Sequence, residues 1–318
     1  MKLLLASPVD PGAVAALQQQ HNVIDISRTA ASRLRDEIVD RVVLVFRSGI
    51  EISREVLASA PDLRLLVRAG SGLDNIDLDY VQRRGLQLER IPEPGAMAVA
   101  ELAFALMLAL ARQLRTADRL LREGRWAKHD ISGHLLNGKT LGVYGCGNIG
   151  LQVARMGVAW GMRVIGCVRD PDDERRAELN ANGVQLADAD TVLKEADFLS
   201  VHVPLAADTR YLIDGNALRR MKKGAFLVNL ARGGIVNEHA LRGALVSGHL
   251  AGAGVDVHEH EGDGHVSPLA ELPNVLLTPH IGSGTVDTQR LIGERLLEIV
   301  AAASADTPRR AAGGAASA

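Results

Sequence analysis

The sequence predicts an α/β protein made of two doubly wound, parallel-sheet domains. Three observations carry that reading. Short apolar runs alternate with helical patterns, the series restarts after one long helical stretch, and 318 residues exceed what a single hydrophobic core supports.

In the first third, LLLAS (3–7), NVIDI (22–26), VVLVF (42–46), LRLLVRAG (63–70) and QLERI (87–91) read as strands. The first four are apolar enough to be parallel strands buried on both faces. Helical patterns lie between them, such as PGAVAALQQQ with proline at its start, where a helix needs no N–H. A long helix is expected over about 97–122, rich in Ala and Leu and without an internal breaker. Six strands follow: TLGVYG (140–145), RVIGCV (163–168), FLSVHV (198–203), AFLVNL (225–230), GAGVDV (252–257) and VLLTPH (275–280). Six strands alternating with helices are the pattern of a doubly wound nucleotide-binding sheet. One more amphipathic helix is expected at about 285–303, then a small, polar tail over 305–318 that reads as disordered.

Composition narrows the function classes. A net charge of -2 offers no footprint for nucleic acid or an anionic membrane. The apolar run at the start is too short for a signal peptide, and LAFALMLALA (102–111) is about half a membrane span, so a cytoplasmic protein is expected. Cys146 and Cys167 both fall in interior-looking stretches and read as buried, reduced thiols.

Four motifs carry chemistry. GCGNIG (145–150) lies between a strand and a helix, the context a dinucleotide fingerprint needs. Gly145 allows the tight turn, Gly147 lets a pyrophosphate approach the backbone, and Gly150 permits close helix–sheet packing. In NLARGGIVNE (229–238), Arg232 follows a strand and can offer a planar donor pair to a carboxylate. In TPHIGSGT (278–285), His280 closes a strand and suits proton exchange with a secondary alcohol. GVDVHEHEGDGHVSPL (254–269) is dense in acids and histidines, but its spacing matches no standard metal site. Its better use is one carboxylate orienting His280.

With VRAGSGLDNID (67–77), AVAELAFALMLALAR (98–112) and VHVPLAADTRYLI (201–213) added, these motifs stand in an order that resembles the D-isomer-specific 2-hydroxyacid dehydrogenase family. The likeness runs from about residue 40 to 290. It implies a Rossmann NAD-binding domain (99–283) inserted in a flavodoxin-like substrate domain formed by 1–98 and 284–318. It implies a catalytic set of Arg232, Glu261 and His280: the arginine binding the substrate carboxylate, and the histidine exchanging a proton with Glu261 stabilising its imidazolium form. Ser71, Asn148, Ile149, Val203, Leu230, Ala231, Asp256 and Gly282 fall at the family's other cofactor-lining positions. Arg47, Ser48, Ala69 and Gly70 fall at its substrate-binding positions. A homodimer through the helix near 97–122 is also implied.

Within the family, FRSGIEIS (46–53) is most similar to the branch that acts on 3-phosphoglycerate, with Arg47 as the phosphate partner. Gly95 and Ala96 depart from that branch, which carries asparagine and a hydroxyl residue there. The implied activity is thus that of an NAD(P)-dependent D-2-hydroxyacid dehydrogenase, hydride transfer between nicotinamide and a 2-hydroxy or 2-oxo acid, with 3-phosphoglycerate the substrate this branch suggests. The alternatives are a glyoxylate or hydroxypyruvate reductase, or a dinucleotide-sensing protein similar to corepressors. RVIGCVRD (163–170) bears on the cofactor. Family members that use NAD usually place an acid where Val168 stands, whereas Arg169 could pair with a 2′-phosphate and Asp170 could turn back to the ribose. NAD is expected, with NADP possible.

Overall fold

Five short strands, β1 (Lys2–Leu5), β2 (Asn22–Asp25), β3 (Val43–Phe46), β4 (Leu65–Arg68) and β5 (Gln87–Arg90), open the computed structural model, which describes residues 1–305. Parallel neighbours cannot be joined by a tight turn, so a helix crosses between each pair. These are α1 (Pro11–Gln20), α2 (Ala30–Glu37), α3 (Arg54–Ala58) and α4 (Leu78–Arg84). Asp10, Ser53 and Asp77 accept backbone N–H bonds at the starts of α1, α3 and α4, satisfying donors that the helices leave free. The sheet order is β2-β1-β3-β4-β5, entirely parallel, as in flavodoxin-like domains.

The second series starts with α5 (Glu93–Ala111) and α6 (Leu114–Arg122). The remaining strands are β6 (Thr140–Tyr144), β7 (Arg163–Cys167), β8 (Val184–Leu186), β9 (Phe198–Val201), β10 (Ala225–Asn229), β11 (Leu250–Val255) and β12 (Val275–Leu277). Crossing helices are α7 (Asn148–Ala159), α8 (Asp173–Ala181), α9 (Ala189–Glu195), α10 (Gly215–Arg220) and α11 (Glu238–Val246). The order β12-β11-β10-β9-β6-β7-β8 is again all parallel, and it reverses direction between β6 and β9. The carboxyl ends of strands at that reversal are where open sheets bind ligands. The chain closes with α12 (Val286–Ala305), whose Ile292, Leu296, Ile299 and Val300 form one buried stripe.

Two compact units result, Met1–Pro94 with the segment from Thr285, and Gly95–Gly284. In the first, Leu4, Leu44 and Leu66 line one face of the sheet. Leu3, Leu5, Val43, Val45, Leu65 and Val67 line the other. In the second, Ile165, Leu199, Leu227 and Val255 face one helical layer, while Val143, Val164, Phe198 and Val228 face the other. Each sheet is covered on both sides, which is why the central strands β3, β4, β6, β9 and β10 are buried along their whole length.

Four expectations need correction. Strand β2 is not buried on both faces: as an edge strand it leaves Asn22 and Asp25 exposed, and edge strand β5 does the same at Gln87 and Arg90. The long helix over 97–122 is two helices, broken at Gln113, whose φ of 52° is left-handed. No breaker residue causes this. The N–H of His134 takes the carbonyl of Ala111 at 2.8 Å and Gln113 Nε2 donates to the carbonyl of Ser132 at 2.8 Å, so a distant segment replaces the helix's own bonds. The second sheet has seven strands rather than six, because β8, only three residues long, adds to its edge. Finally, β12 stops at Leu277, so His280 sits in the turn beyond the strand. The expected disordered tail falls, apart from Ala305 in α12, outside the described residues. By length and composition α5 could cross a membrane, yet Ala100, Ala103, Phe104, Met107 and Leu110 are buried against the sheet of its own unit.

Candidate active site

The turn from β6 into α7 is shaped by what cannot fit there. Gly145 has φ 95°, and a Cβ on Gly150 would lie 2.0 Å from the carbonyl oxygen of Gly145. Helix and strand therefore touch backbone to backbone. A Cβ on Gly147, by contrast, would meet nothing within 4 Å, and no side chain caps the start of α7. An exposed N-terminus with open space in front suits a phosphate.

Beside this turn lies a cleft of about 550 Å³ at the carboxyl ends of β6, β7 and β9. Gly145, Gly147, Val168, Arg169, His202, Val203 and Asp208 are among the residues lining it, whereas Asp170 is not. Asp170 is exposed, with φ 42°. Arg169 forms an ion pair with Asp208 across the cleft. His202 Nε2 meets Ser200 Oγ at 2.7 Å, while its Nδ1 is buried without a partner. Burial pushes its pKa down to about 3, so the ring is neutral. The Cys146 and Cys167 thiols also border the cleft, and burial pushes them up to about 12 and about 11. Asn148 and Ile149 form the first turn of α7.

The second cluster stands at the ends of β10, β11 and β12, adjacent strands on one side of the sheet. Asn229, buried at the end of β10, accepts the N–H of Ala231 at 3.1 Å and donates to the carbonyl of Arg232 at 3.2 Å. This short loop follows buried Leu230 and leaves the Arg232 guanidinium half-buried, donating to the Ala231 carbonyl at 2.7 Å. Asp256 follows β11 directly and is also buried. Its carboxylate accepts Thr278 Oγ1 at 2.6 Å, Ile281 N at 2.9 Å and Gly282 N at 2.9 Å. Those bonds hold the turn in which His280 has its left-handed φ of 54°. The His280 side chain then points Nδ1 at Glu261, 2.9 and 3.1 Å from the two carboxylate oxygens. Of the acids and histidines in 254–269, Glu261 is the one that meets His280.

Burial tends to raise the Glu261 pKa, but the hydrogen bond and charge of His280, with help from His258, outweigh it and leave it below the usual value. An ionised carboxylate accepting from Nδ1 fixes the tautomer and leaves Nε2 as the working nitrogen.

Several participants carried no sequence signal beyond their residue type. The Glu238 carboxylate accepts the N–H of Glu259 at 2.8 Å and the Ser267 hydroxyl at 3.1 Å. Glu259 in return accepts the N–H of Glu238 at 3.0 Å and the Tyr211 hydroxyl at 3.0 Å. This exchange ties the loop carrying Glu261 to the helix that follows the Arg232 loop. Gly233 lies so near that a Cβ would sit 1.8 Å from the His258 carbonyl oxygen. Among the described residues, no group of three or more His, Cys, Asp or Glu is placed to hold a metal.

The first unit has its own ordered strand ends. After β3, the N–H of Arg47 bonds to Ser7 Oγ at 2.9 Å, and its carbonyl accepts Asn75 Nδ2 at 3.2 Å. Burial lowers the pKa of the Arg47 guanidinium from its ordinary value. Ser48 is exposed beside it, while Ala69, Gly70 and Ser71 follow β4, with Ala69 buried and Ser71 exposed.

Residues 104–282 match the family model for the NAD binding domain of D-isomer specific 2-hydroxyacid dehydrogenases. The chain belongs to that family. It is 39% identical over 295 residues to hydroxypyruvate reductase of Thermotoga maritima, covering 91% of this chain and 94% of the relative. It is 40% identical over 298 residues to D-3-phosphoglycerate dehydrogenase of Mycobacterium tuberculosis, covering 94% of this chain and 56% of that enzyme. The chain thus spans little more than half the length of the phosphoglycerate enzyme. Among solved structures it superposes on the TT0316 protein of Thermus thermophilus with a TM-score of 0.86, at 33% identity, covering 97% and 99% of the two chains. Both clusters lie within the matched residues and on one sheet, the cleft at its centre and the histidine–carboxylate pair toward its edge.

Proposed function

We propose that the chain is a nicotinamide-dependent D-2-hydroxyacid dehydrogenase whose catalytic residues are Arg232, Glu261 and His280. The observation that carries this reading is the His280–Glu261 pair beside the Arg232 loop, on the sheet whose glycine turn is open to a pyrophosphate. A dinucleotide laid across the strand ends would have its adenosine end in the cleft near Val168, Arg169 and Val203. Its pyrophosphate would meet Gly147, Asn148 and Ile149, and its nicotinamide end would lie near Leu230, Ala231, Asp256 and Gly282. Ser71 is a further cofactor contact on the family pattern.

A bound nicotinamide supplies or accepts the hydride. The protein does the rest. Arg232 binds the substrate carboxylate with two parallel N–H donors and polarises the 2-oxo group. In reduction, His280 gives its Nε2 proton to the oxo oxygen. In oxidation, Nε2 takes the proton from the hydroxyl. Glu261 accepts from Nδ1 throughout and stabilises the imidazolium form. Asp256 keeps His280 in its left-handed turn through three hydrogen bonds.

The first unit is proposed as the substrate domain, with Arg47, Ser48, Ala69 and Gly70 as its substrate-contacting residues. Half-buried Arg47 supports an anionic group at the far end of the substrate, such as the phosphate of 3-phosphoglycerate. Gly95 and Ala96, which bring no polar side chain, favour a second reading, reduction of unphosphorylated hydroxypyruvate or glyoxylate. We also propose a cytoplasmic homodimer through the α5–α6 region. Leu114, Leu121, Trp126 and Leu135 leave an apolar surface there, between 52% and 79% exposed.

The test is turnover. The full chain is mixed with NADH or NADPH and glyoxylate, hydroxypyruvate or 3-phosphohydroxypyruvate, and the absorbance of the reduced nicotinamide is followed. Turnover of at least one oxo acid is expected. Silence across the panel, with the dinucleotide still bound, would replace the enzyme reading with a binding protein.

A further inference from the structure

The position that normally carries the ribose-binding acid holds Val168, and Asp170 does not line the cleft. A carboxylate reaches the same place from the opposite wall. Asp208 lies in the loop after β9 and lines the cleft together with Val168 and Arg169. That loop is pinned. Thr209, buried, accepts the N–H of Ala206 at 2.7 Å and donates to the Pro204 carbonyl at 2.7 Å. Asp208 is therefore held where its carboxylate pairs with the Arg169 guanidinium.

The pair does little for stability, since its side chains are 69% and 55% exposed and water screens them. Its effect falls on what enters the cleft. Arg169 is the one cation among the lining residues, and Asp208 already occupies it. The other charged lining residue, Asp188, is a second acid, engaged as the cap of α9 through Thr191 N and Oγ1 at 2.8 and 2.9 Å. Nearby Arg175 is committed to the Cys146 carbonyl and to Glu178.

We propose that Asp208 is the residue that discriminates between NAD(H) and NADP(H), an acid supplied from the facing loop in place of the one missing at Val168. The inference rests on the reading that this cleft takes the adenosine end of the cofactor. A 2′-hydroxyl meets a carboxylate able to accept its proton. A 2′-phosphate, near two negative charges, meets repulsion and an arginine that is already paired. Neutralising Asp208 removes the repulsion and releases Arg169 to the phosphate in one step.

The experiment is calorimetric titration of NADH and NADPH into the full chain as wild type, Asp208→Asn, Asp208→Ser and the double variant Arg169→Ala/Asp208→Asn. The expected result is that wild type binds NADH more tightly. In both single variants the ratio of the NADPH to the NADH dissociation constant should fall at least tenfold. In the double variant most of that fall should be reversed, because the released arginine is gone. A ratio within about threefold of wild type in both single variants overturns the proposal, as does a wild type that binds the two dinucleotides equally. Failure of wild type to bind either one refutes the cofactor reading itself, a different outcome from an unchanged ratio.

Discussion

Replacing Glu261 by glutamine isolates the charge of the carboxylate from its shape. Glutamine keeps one oxygen, at the place of the Oε1 that His280 Nδ1 and the His258 N–H now meet at 3.1 and 3.2 Å, while its NH2 replaces the Oε2 that His280 meets at 2.9 Å. The shape is kept, while the negative charge and one of the two acceptors disappear. A hydrogen bond to a charged group contributes about 1.5–3 kcal/mol, against roughly 0.5–1.5 for a neutral one. The side chains of His280 and Glu261 are 26% and 38% exposed, so solvent screening places the loss near the low end, about 1–1.5 kcal/mol. At about 1.4 kcal/mol per tenfold, kcat/KM for reduction should drop roughly tenfold. Glu261 titrates below its usual value, because the hydrogen bond and charge of His280, with help from His258, outweigh the opposing effect of burial. The carboxylate is therefore charged through the neutral range, and the advantage of wild type over the variant should hold there and shrink only as acid protonates Glu261. The assay is steady-state reduction of the best oxo acid at neutral pH and into the acid range, with NADH affinity measured alongside. A variant with kcat/KM within twofold of wild type at neutral pH would refute the role given to Glu261.

Other outcomes follow from the same structure. His202 has its pKa pushed down to about 3, so the folded protein refuses a proton that the unfolded chain takes up below about 6.5. Its contribution to stability is fully present above 6.5 and lost at about 1.4 kcal/mol per pH unit as pH falls toward 3; urea denaturation at pH 7 and pH 5 should show a smaller drop for His202→Gln than for wild type. Gly150→Ala places a methyl 2.0 Å from a backbone oxygen and should cost at least about 1–3 kcal/mol with loss of NADH binding, read by thermal melting and titration. Glu238→Ala leaves the Glu259 N–H and the Ser267 hydroxyl without their acceptor, at about 1–3 kcal/mol for each group left buried, and should lower kcat through the loosened Glu261 loop. Leu121→Glu tests the proposed dimer, since a charge on the exposed apolar surface of α6 should lower the sedimentation coefficient to that of a monomer.

The fold class was legible because parallel strands covered on both faces must be continuously apolar. VLVF (43–46) and TLGVY (140–144) show this without any partner in view. The glycine turn was legible for a related reason, since Gly145 and Gly150 answer steric demands made within a few residues. Arg232, Glu261 and His280 could be placed by resemblance, and the structure brings the last two into contact.

What the chain could not announce depends on partners distant in sequence. β8 is a strand because β7 lies beside it, as three residues are too few to show a period. The break at Gln113 exists because residues 132 and 134 bond there, and Ala- and Leu-rich helical propensity carries no trace of that competition. The Glu238–Glu259 exchange and the Arg169–Asp208 pair join residues 21 and 39 positions apart, and nothing in the spacing of two surface-type residues reveals that they will meet. By itself, then, the sequence determined the layers and the glycine turn, both of which follow from local sterics and burial. Which carboxylate faces Arg169 and which acids brace the Glu261 loop were decided by packing alone, because those contacts arise only once separate strand ends are brought together.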